Sequence, residues 1–191
     1  MIDCCFFTVR NRKSQHTVHL FTSDRPLSAS SIGFVAGVFP ECVEHDQMLV
    51  MGAVDHAHLY TLSYSIHLLI LLCVAMNVVE KATHYLDSVF TTELTNHSSL
   101  LSQITIVAVV DPPEPYCVCH NMIIIDRNEL IGEKDYSRTC EFYHMICFCL
   151  AYQYYGILIQ PLAWSDSWIC IGVSSFLAIE FIGEVSSLLY D

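Results

Sequence analysis

Basic residues are scarce in this chain. Its 191 residues include 8 Lys and Arg against 20 Asp and Glu, and the formal net charge is −12 at pH 7. Because affinity for a nucleic-acid backbone depends on Lys and Arg side chains that neutralise phosphates, so acidic a chain is not expected to bind such a backbone as a whole. The local exception is a group near the N-terminus that holds half of all Lys and Arg: Arg10, Arg12, Lys13 and Arg25.

Charged residues of either sign are also few, at 15% of the chain, while apolar residues make up 53%. A disordered chain has the opposite balance, with low hydrophobicity and high charge. The composition therefore argues against a disordered protein and supplies enough apolar side chains for the core of one or two domains. No internal repeat or low-complexity segment is present.

A secretory signal is not expected either. Residues 1–5, M-I-D-C-C, lack the basic region and the apolar core of a signal peptide. The ten cysteines have irregular spacing, and we interpret them as reduced, buried thiols of an intracellular protein. The glycosylation sequon at Asn96 carries no meaning without a secretory route.

Two long stretches carry no Asp, Glu, Lys or Arg, namely residues 59–79 and residues 142–165. About 20 apolar residues suffice for a helix to cross a bilayer, so a small multi-span membrane protein is one hypothesis for the chain. The second stretch, however, contains Gln153, Gln160 and Pro161, and the placement of Lys and Arg gives no consistent orientation. We therefore keep the membrane hypothesis as an alternative.

Short apolar or alternating runs between turn residues predict several strands. Residues 4–9 and 16–22 predict a β-hairpin, with polar residues between them. Further strands are expected at residues 32–39, ended by Pro40, and at residues 47–54, 103–110 and 118–125.

Helical spacing marks three further segments. Within residues 80–95 an apolar face is formed by Tyr85, Leu86, Val89 and Phe90. Residues 141–155 and 168–190 are predicted to form two helices joined by a tight connection, after a charged, exposed segment at 127–138. Strands and helices in this order predict an α+β fold.

The two C-terminal helices carry the most informative motif. Residues 153–156 are Q-Y-Y-G, and residues 164–168 are W-S-D-S-W. This layout resembles the active site of thermolysin-like zinc aminopeptidases, in which one helix carries H-E-x-x-H followed by Gln, two aromatic residues and Gly. In those enzymes the two His and a Glu of the next helix hold the zinc, and the Glu of the motif is the general base.

The zinc-ligand positions of that pattern fall on Phe148, Tyr152 and Ile171 of this chain, and the general-base position falls on Cys149. Phe and Ile offer no lone pair to a metal, and the phenol of Tyr ionises only near pH ~10. The resemblance therefore implies an aminopeptidase frame without zinc, cofactor or catalysis. His144, Phe148 and Tyr152 share one helix face at four-residue spacing, and we interpret Phe148 and Tyr152 as apolar filling of a former zinc cavity.

Three segments in matching order resemble the TATA-binding-protein-associated factor 2 family, an aminopeptidase-like subunit of the general transcription factor TFIID that lacks the zinc site. Residues 150–172 form the most specific of the three. The segment at residues 52–79 is longer and more apolar than the connector of that family. The segment at residues 111–119 is shorter than its counterpart in the family. The other two segments are S-A-S-S-I-G-F-V-A-G-V-F in residues 28–39, and A-T-H-Y-L-D-S-V-F in residues 82–90 with M-I-I-I-D in residues 122–126.

The resemblance implies the last strands of an N-terminal β-domain in residues 1–45, followed by a partial thermolysin-like α+β domain in residues 46–191. It implies a non-catalytic fragment of a nuclear TFIID subunit, which scaffolds the complex and takes part in core-promoter recognition for RNA polymerase II initiation. The implied partners are TATA-binding protein, its associated factors and promoter DNA, with no small-molecule substrate. A degenerate zinc aminopeptidase is a second alternative. The candidates for DNA-phosphate contacts are Arg10, Arg12, Lys13 and Arg25, which a solvated hairpin loop would carry equally well.

Other groups of metal-binding residues have unfavourable spacing. The sequence D-H-A-H at residues 55–58 lacks the residue that separates Asp from His in metal-dependent amidohydrolases, so an exposed loop is expected there. The residues Trp164, Asp166 and Trp168 are expected to pack and to cap the start of the last helix. Another possible metal-binding set contains five Cys and two His residues, namely Cys117, Cys119, His120, Cys140, His144, Cys147 and Cys149. Its C-x-C spacing is poor for a tetrahedral zinc site, so we interpret its cysteines as buried thiols.

Overall fold

The computed structural model of the chain describes residues 7–10, 17–20, 27–35, 39, 41–45, 48–52, 62–90, 104–132 and 137–189. These residues form a mixed α+β fold with a five-stranded sheet, as the sequence predicts at this level. The predicted N-terminal hairpin is also present. Strand β1 (Phe7–Arg10) pairs antiparallel with β2 (Thr17–Leu20), and this pair forms a two-stranded sheet.

The larger sheet is mixed, with antiparallel pairs at both edges and parallel pairs in the middle. Its strands are β3 (Glu41–His45), β4 (Met48–Gly52), β5 (Thr105–Val109), β6 (Tyr116–Cys119) and β7 (Met122–Asp126), in the order β3-β4-β5-β7-β6. The β3–β4 and β6–β7 pairs are antiparallel, whereas β4–β5 and β5–β7 are parallel. Parallel neighbours need a long crossover connection, and the helix between β4 and β5 supplies it.

Two strand predictions are wrong. Residues 32–35 of the strand predicted at 32–39 are not a strand; they follow a short 3-10 turn (Ala29–Ser31), and the next described strand is β3. The apolar run at 118–125 is two strands rather than one, because the chain reverses at Asn121, which has a positive φ of 56°. Asn tolerates this left-handed conformation better than most residues.

The larger sheet joins residues from both sides of the domain boundary predicted at 45/46. Strand β3 lies in the predicted N-terminal unit, yet all five of its residues pair with β4. The hairpin β3–β4 therefore spans the predicted boundary at 45/46, and the division into two domains stays a prediction.

Two helices follow the predicted segments closely, and the first begins earlier than predicted. Helix α1 (Leu62–Phe90) is one helix of 29 residues and unites the uncharged stretch with the helix predicted from Glu80. Helix α2 (Thr139–Tyr152) continues into a π-helical turn (Gln153–Leu158), and α3 (Ser167–Leu189) follows after a 3-10 turn (Trp164–Asp166).

The core lies between the sheet and the helices. Val50, Ile106 and Ile123 are paired in register across three strands, and all three are completely buried. Helix α1 approaches the sheet closely at Gly52, where a Cβ atom would come within 3.0 Å of the Leu68 side chain. The absence of a side chain at this position thus sets the depth at which α1 packs.

The second span of the alternative membrane hypothesis is not a single helix. Residues 142–165 comprise most of α2, the π-helical turn and a non-helical connection at 159–163. Two segments of the described chain are long and apolar enough to cross a bilayer, Ile66–Phe90 and Trp164–Val185. Of the 18-residue apolar stretch within each, 44% and 28%, respectively, is buried inside the fold. Length and composition do not separate such a span from the core helix of a soluble protein.

Candidate functional site

A ladder of stacked rings occupies the helix face where the aminopeptidase pattern places its first two ligands. The rings of His144 and Phe148 are nearly parallel with centroids 6.3 Å apart, and those of Phe148 and Tyr152 are 5.8 Å apart. The ring of Tyr116, on strand β6, meets Phe148 edge-on at 5.9 Å. Aromatic stacking of this kind adds about 0.5–1.5 kcal/mol per pair beyond burial, so the ladder ties α2 to the edge of the sheet.

The four positions of the zinc pattern differ in burial. Phe148 and Tyr152 are half-buried, Cys149 is completely buried, and Ile171 on α3 is 48% exposed. The interpretation of Phe148 and Tyr152 as apolar filling of a former zinc cavity stays a prediction, and both rings lie at the margin of the core. Among the described residues no group of three or more His, Cys, Asp or Glu side chains is placed to hold a metal ion.

Burial also governs the thiols of α2. Burial raises the pKa of Cys147 to about 12, and burial also raises the pKa of Cys149. A thiol must lose its proton to act as a nucleophile or a metal ligand. At neutral pH both thiols therefore behave as small apolar side chains. The prediction of buried cysteines is confirmed for Cys119, Cys147, Cys149 and Cys170 and is wrong for Cys42, Cys73, Cys117 and Cys140, which are exposed.

The Gln of the Q-Y-Y-G motif holds the turn between β6 and β7. Gln153 is 4% exposed, and its Nε2 donates to the Cys119 carbonyl at 2.6 Å and to the Met122 carbonyl at 3.4 Å. Its Oε1 accepts from the backbone N–H of Asn121 at 3.2 Å. One buried amide thus satisfies three backbone groups of the turn, and it fixes the end of α2 against the sheet.

The Gly of the same motif makes room for an aromatic ring. A Cβ atom at Gly156 would overlap the ring of Tyr152, one helical turn earlier. The two intervening tyrosines reach α1 instead, since Phe90 stacks on Tyr154 with centroids 4.7 Å apart and meets Tyr155 at 5.9 Å. Each position of Q-Y-Y-G therefore has a structural role in joining α2 to its neighbours.

A second glutamine connects this region to the N-terminal part of the chain. Gln160 Nε2 donates to Ser28 Oγ at 3.0 Å and to Ser31 Oγ at 3.3 Å. The Ser31 carbonyl accepts from the backbone N–H of His120 at 2.7 Å. Residues from all three segments that carry the family resemblance consequently meet around residues 153–160.

Replacing Gln153 with Met, which keeps the length of the side chain but removes its polar atoms, is expected to lower the free energy of unfolding by about 2–3 kcal/mol, because buried backbone groups of the turn lose their partner. Gln160→Met is the matched control on an exposed glutamine, and it should change this free energy by less than about 1 kcal/mol. Urea unfolding followed by circular dichroism measures both. Equal losses in the two variants would contradict the role given to Gln153.

An open groove of about 550 Å³ lies beside the ring ladder and contains several titratable side chains. Glu129, one of its lining residues, is bound by Arg138, with Nη2 and Oε2 2.8 Å apart. The groove is therefore lined by both charged and apolar side chains. Its lining residues are Pro115, Tyr116, Glu129, Cys140, Glu141, His144, Met145 and Ile182.

The packing predicted for the two tryptophans is wrong. Trp164 and Trp168 are both largely exposed, and the Ser167 hydroxyl donates to the Trp164 carbonyl instead of accepting from the free N–H groups of α3. The W-S-D-S-W sequence thus forms the exposed turn that begins α3. Spacing could not show this, because which side of a helix start faces the core depends on where α2 lies.

Most of the other sequence-predicted sites lie outside the described residues. Arg10 is the last residue of β1, where it pairs with Thr17. The remaining candidate phosphate contacts, Arg12, Lys13 and Arg25, lie outside the described residues, as do residues 55–58 and Asn96. The four basic residues therefore stay predictions from sequence.

Neither a scan against models of known protein families nor a search of curated proteins gives a match for this chain.

Proposed function

We propose that this chain is a non-catalytic, aminopeptidase-like segment of the TATA-binding-protein-associated factor 2 type, acting as a scaffold within TFIID. The observation that carries the proposal is the Q-Y-Y-G segment, whose Gln153, Tyr154, Tyr155 and Gly156 all make structural contacts. The frame of the motif is thus used for packing, while the positions of the zinc chemistry hold residues that bind no metal.

The α+β architecture and the meeting of the three segments around residues 153–160 support this proposal. On this proposal the helix pair α2–α3 with its adjoining strands corresponds to part of a thermolysin-like domain. The chain would be nuclear, would contact TATA-binding protein and its associated factors, and would take part in core-promoter recognition. Arg10, Arg12, Lys13 and Arg25 are the residues proposed to lie near DNA phosphates.

Affinity purification of the tagged chain from nuclear extract, probed for TATA-binding protein and its associated factors, tests the proposal. Co-purification that resists moderate salt is the expected result. A matched sample carrying Gln153→Met should recover less of these proteins, because that change loosens the region where the three segments meet. Absence of the factors from a folded, soluble sample would contradict the proposal, and stoichiometric zinc in the purified chain would favour a degenerate aminopeptidase instead.

A second candidate function, a membrane-associated protein, is favoured by one observation. The outward face of α3 is apolar, with Trp168, Phe176 and Ile179 all more than half exposed. A monomeric soluble protein rarely leaves a large continuous apolar face in water. Recovery of the tagged chain in membranes that resist alkaline extraction, without TFIID subunits, would support this candidate and contradict the first.

A further inference from the structure

Strand β6 lies at an edge of the larger sheet, with β7 as its neighbour on one side. The Asp126 backbone N–H donates to the Pro115 carbonyl at 2.8 Å, which fixes the residues of β6 that bond to β7. Because bonded and non-bonded residue pairs alternate in an antiparallel ladder, Cys117 turns its N–H and C=O toward β7. Tyr116 and Val118 therefore turn theirs outward, and these groups have no partner among the described residues.

The segment at residues 31–33 covers only one end of this edge. The Ser31 carbonyl accepts from the outward N–H of His120 at 2.7 Å, so the edge already pairs with main chain at one point. Gly33 lies against the side chain of Cys119, which is on the opposite face of the strand from Val118. This segment therefore leaves the outward backbone groups in the middle of β6 open.

The two edges of the sheet differ in charge. The other edge strand, β3, has the sequence E-C-V-E-H, and charged side chains on an edge discourage pairing with another chain. Strand β6 has the sequence Y-C-V-C, with no charged residue. Of the two edges, β6 is therefore the one suited to accept an additional strand.

The open groove of about 550 Å³ adjoins this edge, because Tyr116 is one of its lining residues. Tyr116 faces α2, where its ring meets that of Phe148. Directly opposite residues of neighbouring strands share a face of the sheet, so a residue of an added strand opposite Tyr116 points toward the groove. Within the groove Glu129 is paired with Arg138, whereas Glu141 is exposed and its carboxylate has no partner among the described residues.

We propose that the β6 edge binds an extended segment of another protein, which adds a sixth strand to the sheet and places a Lys or Arg side chain in the groove beside Glu141. Main-chain hydrogen bonds to Tyr116 and Val118 supply the affinity, and the groove supplies the specificity. The aliphatic part of the basic side chain lies along Met145 and Ile182. The net charge of −12 also favours a basic segment over an acidic one. This inference uses the edge and the groove alone and does not depend on the function proposed above.

The probe is a fluorophore-labelled heptapeptide, T-V-T-R-T-V-T, and a second peptide carries norleucine in place of Arg. Binding to the native full-length chain is followed by fluorescence polarisation. The Arg peptide should bind saturably, and about three- to fivefold more tightly than the norleucine peptide, the range for a partly exposed ion pair. Glu141→Gln should abolish this difference. Glu44→Gln, the same change of charge on strand β3, is the matched control and should leave the difference intact.

Val118→Pro tests the main-chain bonds. Proline is tolerated on an edge strand where its missing N–H faces away from the sheet, so this variant should stay folded by circular dichroism and bind both peptides at least about fivefold more weakly. Where it does not fold, the comparison of Glu141→Gln with Glu44→Gln decides. Absence of binding to the folded chain, unchanged binding by folded Val118→Pro, or equal effects of the two Glu changes would overturn the proposal. A dimer in sedimentation that Val118→Pro dissociates would also overturn it, since a second copy would then occupy the edge.

Discussion

Replacing Phe181 with Ala is expected to lower the free energy of unfolding by about 3–5 kcal/mol, in the range measured for buried Phe-to-Ala changes. Phe181 on α3 is 2% exposed. Its ring lies 5.5 Å from that of Tyr85 on α1 and is stacked at 5.9 Å on that of Tyr143 on α2. One side chain thus joins all three helices, and its removal leaves a cavity at the point where they meet.

The same helix offers a matched control, because Phe176 lies one and a half turns earlier and is 59% exposed. Phe176→Ala should change the free energy of unfolding by less than about 1 kcal/mol, since little apolar area returns to water. Urea unfolding followed by tryptophan fluorescence and circular dichroism compares the two variants. A loss at Phe176 as large as that at Phe181 would mean that the outward face of α3 is covered in solution.

Restoring the general-base residue of the zinc pattern, by Cys149→Glu, is expected to destabilise the chain by more than about 4 kcal/mol. An ionised carboxylate without a partner costs several kcal/mol in a protein interior, and the additional atoms overpack the core. Cys149 is completely buried, with its neighbours Leu150 and Ala151. The helix therefore accepts an apolar side chain at this position and resists the charge that catalysis would need.

The pH dependence separates the charge from the size of the new side chain. The folded chain should hold the buried carboxyl in its neutral form, so its pKa there is higher than the value of about 4.3 in the unfolded chain. The cost of burying a charged carboxylate is therefore absent below about pH 4.3 and grows as the pH rises. The loss in the free energy of unfolding caused by Cys149→Glu should thus be smaller at pH 5 than at pH 8. Cys140→Glu, on an exposed position of α2, is the control. Equal stability of both variants would show that the interior around Cys149 is open to water.

Periodicity predicts most of the regular elements of this chain, and its failures have physical causes. The uncharged stretch and the charged segment from Glu80 have different compositions, yet no Pro or Gly interrupts them, and they form the one helix α1. Strand β3 has the sequence E-C-V-E-H and no clear alternation. It is an edge strand with one partner, so its side chains need not follow a buried pattern.

The candidate site could be located from sequence but not interpreted in full. The motif spacing directs attention to residues 148–156, where the ring ladder and the Gln153 bonds lie. The hydrogen bonds from Gln153 to the β6–β7 turn could not be predicted from the sequence, because more than 30 residues separate Gln153 from the turn. The turn itself was predicted to be part of a strand.

The parallel pairing of β4 with β5 also bears on the order of folding. These strands are neighbours in the sheet although Gly52 and Thr105 are far apart in the chain. Closing so long a loop costs about 2.5 kcal/mol more in chain entropy than closing the β6–β7 hairpin, by the logarithmic dependence on loop length. Contacts between sequence neighbours form faster than distant ones. The C-terminal half, from β6 through α3, can therefore serve as a folding nucleus, onto which α1 and the β3–β4 hairpin dock later.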